Sequence, residues 1–187
     1  MPMIRECIVT TVNAEGRVHI APLGLIQSGE DWIIAPFRPS TTLENLEAVP
    51  CAVANYTDDA RVFAGCLTGR KDWATVETGD EFPVPRLQAA LTHAELEVVR
   101  VEPHDQRPRF HCKVVREAIH APFRGMNRAK AAVLEAAILA SRLHMLPKEK
   151  IEAELAYLQI SIDKTAGPQE LEAWGWLMEK IRPHLAG

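Results

Sequence analysis

Phe37-Arg-Pro-Ser-Thr-Thr-Leu-Glu-Asn-Leu46 reads as the exit of a strand, stiffened by Pro39, that runs straight into a helix. Three hydroxyls, Ser40, Thr41 and Thr42, arrive just ahead of the helical period, Asn45 follows one turn on, and Arg38 adds a full charge. A helix N-terminus carries N–H groups without acceptors and the positive end of the dipole, so this set of side chains suits a phosphate. The same residues also spell Thr41-x-x-Glu44, a capping box that needs no ligand. Both readings stand on spacing alone.

Upstream of this stretch the pattern is that of strands. Glu6 to Val12 is β-branched, Asn13 to Gly16 supplies a turn, and Arg17 to Ile26 returns as the other arm of a hairpin. Asp31 to Phe37 is a third strand, with Pro36 and Pro39 at its end, where no ladder N–H is required. Downstream, Thr41 to Val49 is a short helix and Cys51 to Asn55 a buried strand. Asp58 to Cys66 fits helix or strand equally, and the polar, Pro-containing Trp73 to Pro85 reads as an excursion over the surface. Leu91 to Val101 and Arg109 to Ile119 complete six or seven strands.

The period then changes. Asn127 to His144 is rich in Ala and Leu without internal Gly or Pro, Lys148 to Ile162 carries Ile151, Leu155, Leu158 and Ile162 on one stripe, and Gly167-Pro168 restarts a third helix. Leu171, Trp174, Leu177 or Met178, and Ile181 make the stripe of that last helix. The expected class is α+β: one domain spanning 1–187, with a small antiparallel barrel over about 1–122 and helices over about 123–187. The apolar stripes of the last two helices and the barrel edge call for cover, which a second copy of the chain would give.

Totals narrow the function. The chain has 187 residues, 47% hydrophobic and 25% charged, with net charge -4 and pI about 6.0. That balance lacks the basic stripe by which a nucleic-acid partner is bound. No run approaches the roughly 18 apolar residues of a membrane span. Met1 to Glu6 lacks a signal-peptide core, so a cytoplasmic location is expected. Cys7, Cys51, Cys66 and Cys112 are widely spaced and read as free structural thiols. No metal site is expected, because His111 and Cys112 point to opposite faces of one strand and His104 and His120 complete no zinc spacing. Neither the dinucleotide glycine fingerprint nor a P-loop occurs.

Several further residues carry two readings. His19-Ile-Ala-Pro-Leu-Gly24 puts a Pro and a Gly inside a strand, which marks an edge, a bulge, or close approach of the backbone to something flat. Asp58 and Asp59 are either a helix cap or a paired acid and base. Arg109, His111 and Lys113 share one strand face, either solvated or turned to an anion or a flavin. Arg124 and Asn127 precede the long helix, where Asn127 is a cap or helps to close a site over an anion. Asn55 either satisfies a turn or reaches a ligand edge.

Taken in order, Thr10 to Gly24, Pro36 to Leu46, Asn55 to Asp59, and Phe123-Arg-Gly-Met-Asn-Arg-Ala-Lys-Ala-Ala-Val-Leu-Glu-Ala136 resemble an uncharacterised FMN-binding split-barrel family. That family occurs in methanogens and in microbes with methanopterin-linked one-carbon metabolism. It is similar, at a distance, to the flavin-reductase and pyridoxamine-phosphate-oxidase barrels. The resemblance implies a six-stranded split barrel working as a homodimer, with FMN at or near the subunit interface. By position, Arg38, Ser40, Thr41, Thr42 and Asn45 would hold the phosphate, with Thr42-x-x-Asn45 as a clamp. His19, Pro22, Leu23 and Gly24 would run beside the ring, and Asn127 would stand close by. No lysine joins the hydroxyl cluster as in some pyridoxamine-oxidase relatives, so Arg38 carries that charge alone.

Three functions follow as expectations. The first is an oxidoreductase passing hydride through flavin N5, with a reduced nicotinamide or another small molecule as partner and no side chain assigned as obligatory acid or base. The second is a flavin-binding module without turnover, and the third a barrel that binds some other phosphate-bearing ligand.

Overall fold

Alternating apolar residues along the first strand turn Cys7 and Val9 to one side and Ile8 and Thr10 to the other, and both sides are buried. The computed structural model describes residues 2–79 and 81–187. Its elements are β1 (Ile4–Val12), β2 (Val18–Ser28), β3 (Asp31–Ile34), α1 (Thr41–Ala48), β4 (Cys51–Tyr56), α2 (Ala60–Leu67), the short β5 (Thr75–Val76) and β6 (Arg86–Leu87), β7 (Thr92–Glu102), β8 (Arg109–Ile119), and α3 (Arg128–Ser141), α4 (Lys148–Thr165) and α5 (Pro168–Ala186). They fall into two compact units. Met1–Thr57 and Trp73–Pro122 form the first, Asp58–Asp72 and Phe123–Gly187 the second. The boundary expected near residue 122 misses that α2 belongs with the later helices.

The first unit is a closed antiparallel barrel in the order β1-β2-β3-β8-β7-β4. Cys7, Val9, Leu25, Ile34, Ala54, Leu96 and Phe110 fill it, and Leu43 and Leu46 of α1 join the same cluster. Two register shifts, at Glu95/Leu96 and Val98/Arg100, interrupt the long β7–β8 ladder. Such bulges bend and twist strands, which closure of a small barrel requires. The Arg5 guanidinium lies 5.5 Å from the Trp32 ring and 5.7 Å from that of Tyr56.

Trp73 to Pro85 is not a plain surface excursion. The segment packs on β1 and β4, where Val84 joins Val12 and Val53 in a separate apolar cluster. Thr10 Oγ1 donates to the Pro85 carbonyl at 2.7 Å, and the Leu87 N–H donates to Asn55 Oδ1 at 2.6 Å. Asn55 is fully buried and its amide also donates to Ile8 O, Val53 O and Thr10 Oγ1. It is therefore a joint between three segments, and neither of its expected roles, turn or ligand edge, describes it.

In the second unit Asp58 to Cys66 resolves as helix. Asp59 caps α2 by accepting from the Arg61 N–H. α3 presents Ala129, Ala132, Ala136 and Ala140 to the core, side chains small enough to admit α2, α4 and α5 closely. Ile151 and Ile162 of α4 and Trp174, Leu177 and Ile181 of α5 are buried in this cluster. These stripes cover one another, so they do not call for a second copy. Leu171, placed on the stripe by its spacing, is 54% exposed.

Candidate functional site

The helix expected to receive a phosphate starts at Thr41, but its cap is Ser40 rather than Thr41. Ser40 Oγ accepts from the Leu43 N–H at 3.3 Å, and the Thr41–Glu44 capping box does not form. The first-turn N–H groups of Thr41 and Thr42 have no acceptor within an α-helix. Thr41 is exposed and Ser40 half-buried. Thr42 and Asn45 are 4% and 3% exposed, on the inner side of α1. Asn45 Nδ2 donates to Thr11 Oγ1 at 3.0 Å, which fastens α1 to β1. Of the pair that the resemblance makes a phosphate clamp, Asn45 thus braces α1 from within and Thr42 is buried. Arg38 stands outside, paired with Glu47 at 3.2 Å, both side chains about half exposed.

The strand exit that carries these groups is pinned by the β7–β8 connection. The Arg38 N–H donates to Gln106 O at 2.8 Å. Arg107 donates to Ala35 O at 2.9 Å and lies 4.3 Å from the Phe37 ring centroid. His104 Nδ1 accepts from the N–H groups of Gln106 and Arg107, shaping the turn that aims Arg107. The peptide bond between Arg38 and Pro39 is cis. A groove of about 660 Å³ opens here, walled by Arg38, Glu47, Pro50, Val98, His104 and Phe110. That volume suits a small ligand.

On the other flank lies β2. It pairs with β1 without a break from Ile4↔Ile26 to Val12↔Val18, but β3 accompanies it only over Ile26, Gln27 and Ser28. Pro22, which has no N–H to give, sits on the stretch that β3 leaves, in keeping with the edge reading. His19 is half-buried and pairs across the ladder with Thr11, the residue that receives Asn45. The structure therefore brings His19 and the α1 loop together through Thr11. Leu23 packs against the barrel interior. A Cβ at Gly24 would meet Ile4 Cγ2 at 2.7 Å and Glu6 Oε1 at 3.3 Å, so side chains of β1 already crowd the position.

Of the remaining candidates, Asp58, Asp59 and His111 are held by protein contacts. Asp58 accepts from Lys130 Nζ at 2.6 Å and Asp59 pairs with Arg61 at 2.7 Å, so the two carboxylates are not a coupled acid and base. His111 lies 2.7 Å from Arg100 and 3.2 Å from Glu102, and hydrogen bonding to His111 holds the Glu102 carboxyl below its usual range. Arg109 Nε is buried without a partner, while Lys113 is exposed. Arg124 is exposed.

Asn127 is the α3 cap. Its Oδ1 accepts from Ala129 and Lys130 N–H, and its Nδ2 donates to Thr165 O at the end of α4. Asn127→Ala is expected to destabilise the helical unit by about 1–2 kcal/mol, as loss of a cap does. Urea melts followed by circular dichroism would measure it, and a change under about 0.3 kcal/mol would contradict the capping role.

The thiols give a second check. Burial pushes the Cys7, Cys66 and Cys112 thiols up, Cys66 to about 11 and Cys112 to about 12. Cys51 is only half-buried, though desolvation and the nearby Glu97 also raise it. In native protein at neutral pH a thiol reagent is expected to reach Cys51 first, and all four only after unfolding. Rapid labelling of Cys7 or Cys112 would contradict the barrel interior described above.

Sequence reasoning missed Thr11, His104, Gln106 and Arg107. The closely spaced His104, Gln106 and Arg107 form a local turn signal, but no spacing rule joins Arg107 to Ala35 or Asn45 to Thr11.

Comparison with known families and structures fits this geometry. The model of the DUF447 N-terminal domain, a protein of unknown function, matches residues 5–121, and that of the DUF447 C-terminal part matches residues 127–179. The chain belongs to the DUF447 family. An FMN-bound DUF447 protein of Methanosarcina mazei has the same fold, with a TM-score of 0.80 at 23% identity over 96% of each chain. More distant likenesses include a 2-nitrobenzoate 2-nitroreductase of Pseudomonas fluorescens (TM-score 0.53, 19% identity, 64% of this chain and 66% of that one). Another is an FMN-binding protein of Thermus thermophilus (TM-score 0.52, 15% identity, 67% of this chain and 77% of that one). No protein of curated function matches the chain. The DUF447 chain thus has the split-barrel fold. Among the described residues no helix is long and apolar enough to cross a membrane.

Proposed function

We propose that this DUF447 protein binds FMN and works as a flavoprotein oxidoreductase. The observation that carries the reading is a convergence. α1 lies against β1 and β2, with its Asn45 bonded to Thr11, the ladder partner of His19, and Arg38 precedes its start, in a chain whose fold matches that of an FMN-bound member of its family. The donor set fits the phosphate. Thr41 and Ser40 bring hydroxyls, the helix start brings N–H groups, and Arg38 brings a cation that Glu47 holds only loosely. Asn45 fixes α1 to β1 and Thr42 is buried, so neither reaches outward. The β2 stretch from His19 to Gly24 is the flank along which the ring would lie, with the Leu23 side chain turned to the barrel interior.

Bound flavin supplies hydride transfer at N5, and the chain supplies position, electrostatics and exclusion of water. A reduced nicotinamide is the electron donor in this reading, and a place in methanopterin-linked one-carbon metabolism belongs to the same proposal, carried only by where the resembled family occurs. A homodimer with the flavin near the interface is also part of it, supported by the apolar surface of the barrel unit at Phe37, Val18, Val99 and Val101.

The test is the absorption spectrum of desalted protein between about 350 and 500 nm, before and after FMN is added. A retained flavin band that bleaches under reduced nicotinamide supports the enzyme, and a band that does not bleach reduces the proposal to a binding module. No uptake of FMN overturns it.

A further inference from the structure

Away from α1, three side chains of the barrel unit form a hydrogen-bonded row that the flavin reading does not use. His93 and Glu95 sit two apart on β7, hence on one face, and are 2% and 4% exposed. Glu95 Oε1 lies 3.3 Å from His93 Nε2, and His93 Nδ1 lies 2.7 Å from His120 Nε2. The two imidazoles stack with centroids 5.0 Å apart and planes within 10°. Arg116, opposite Glu95 across the β7–β8 ladder, places Nη1 3.8 Å from the same carboxylate. His120 itself is exposed.

The row fixes its own protons. A carboxylate only accepts, so Glu95 keeps the proton of a neutral His93 on Nε2. His93 Nδ1 is then an acceptor, and His120 must donate its Nε2–H to it. The other nitrogen of His120, Nδ1, is left with a lone pair. Desolvation, then the charge of Arg86, the neighbouring His93 ring and the charge of Arg116, lower the proton affinity of His120 below the ordinary histidine value, so the neutral ring prevails near neutral pH. A row meant only to tie β7 to the end of β8 would finish at a buried acceptor. This one finishes at a surface imidazole on which the charges of Arg86 and Arg116 act.

We propose that His120, oriented by His93 and Glu95 and standing near the cations Arg86 and Arg116, is a proton-accepting site for a small anionic substrate. The arginines draw the anion. An acidic O–H, N–H or activated C–H bond of the substrate breaks heterolytically, its proton goes to His120 Nδ1, and the electron pair stays on the substrate atom. The imidazolium so formed is opposed through His93 by the Glu95 carboxylate, and it returns its proton to water. His120 is the catalytic residue here, while His93 and Glu95 are positioning residues. None of this depends on the flavin.

The experiment is a long-range proton–nitrogen NMR titration of the seven histidines in labelled full-length protein, assigned with His93→Gln and His120→Gln, and with inorganic phosphate as the probe. A neutral His93 is expected to carry its proton on Nε2 and His120 to leave Nδ1 unprotonated, with His120 titrating below the ordinary histidine midpoint. Phosphate is expected to raise that midpoint. Arg116→Gln, a change at a half-exposed side chain, should weaken phosphate about tenfold without loss of fold. Glu95→Gln should leave His93 and His120 in mixed tautomers and blunt the response of His120 to phosphate, which a purely structural tie would not do. Mixed tautomers in the unmodified protein, or a His120 signal indifferent to phosphate up to about 20 mM, would overturn the proposal.

Discussion

Asn55→Leu is expected to lower the stability of the barrel unit by about 3–4 kcal/mol, the largest single-residue effect foreseen for this protein. The replacement is close in shape and apolar, so it leaves no large cavity. It removes the acceptor of the Leu87 N–H and the donor to Ile8 O, Val53 O and Thr10 Oγ1, all in a fully buried position. Each stranded group costs about 1–3 kcal/mol, partly recovered by relaxation. For a chain of this size the midpoint should fall by roughly 10 °C. Asn55→Asp supplies the sign test. An ionised carboxylate would keep an acceptor for Leu87 but face the carbonyls of Ile8 and Val53, so its folded pKa is raised. The variant should therefore come closest to the unmodified protein near pH 4 and lose stability as the pH rises. A loss below about 1 kcal/mol for Asn55→Leu would mean that the segment around Leu87 is not clamped to the barrel as described.

Arg38→Glu is expected to weaken FMN about a hundredfold while leaving the melting midpoint almost unchanged. The two effects separate because the Arg38–Glu47 pair is half exposed on both sides, and such pairs contribute about 0–1 kcal/mol to stability. A phosphate held at the α1 terminus, in contrast, would lose a charge-assisted contact and gain a like charge. Riboflavin, which has the ring without the phosphate, is the control. The substitution should leave riboflavin affinity alone, and in the unmodified protein riboflavin should bind much more weakly than FMN. Equal losses for both flavins would place the defect at the ring or in the fold and not at the phosphate. Fluorescence quenching titrations read all four affinities. Asn45→Ala is a poor substitute, because it breaks the buried bond to Thr11 and confounds binding with packing.

Much of this molecule is legible from local pattern. The β-branched run ending at Val12, the turn through Gly16 (φ 77°), the Asn127 cap and the stripes of α4 and α5 all rest on forces that act over a few residues: chain stiffness, capping, and the separation of apolar from polar faces. For that reason the six barrel strands and the three late helices stand close to where the periodicity put them. The α1 loop was legible as an anion-favouring helix start for the same reason.

The tertiary structure decided the rest. Asp58 to Cys66 offered no preference of its own until the alanine face of α3 gave Ala60 and Ala64 a surface to bury against, which also drew α2 out of the barrel unit and into the helical one. Trp73 to Pro85 is polar enough to read as surface, yet Thr10 and Asn55, remote in sequence, hold its end in place. Gly24 reads as a mark of an edge, a bulge or a close approach, and only the paired strands show that the side chains of Ile4 and Glu6 crowd it across the ladder. Asn45 and Thr42 were chosen by type and spacing, and only the docking of α1 on β1 shows that they face inward. The row from Glu95 through His93 to His120 left no trace in the sequence, since residues 27 positions apart meet only once β7 and β8 have paired. Local physics wrote the elements. Burial and hydrogen-bond satisfaction between distant segments decided which side chains reach solvent, and with that which of them can do chemistry.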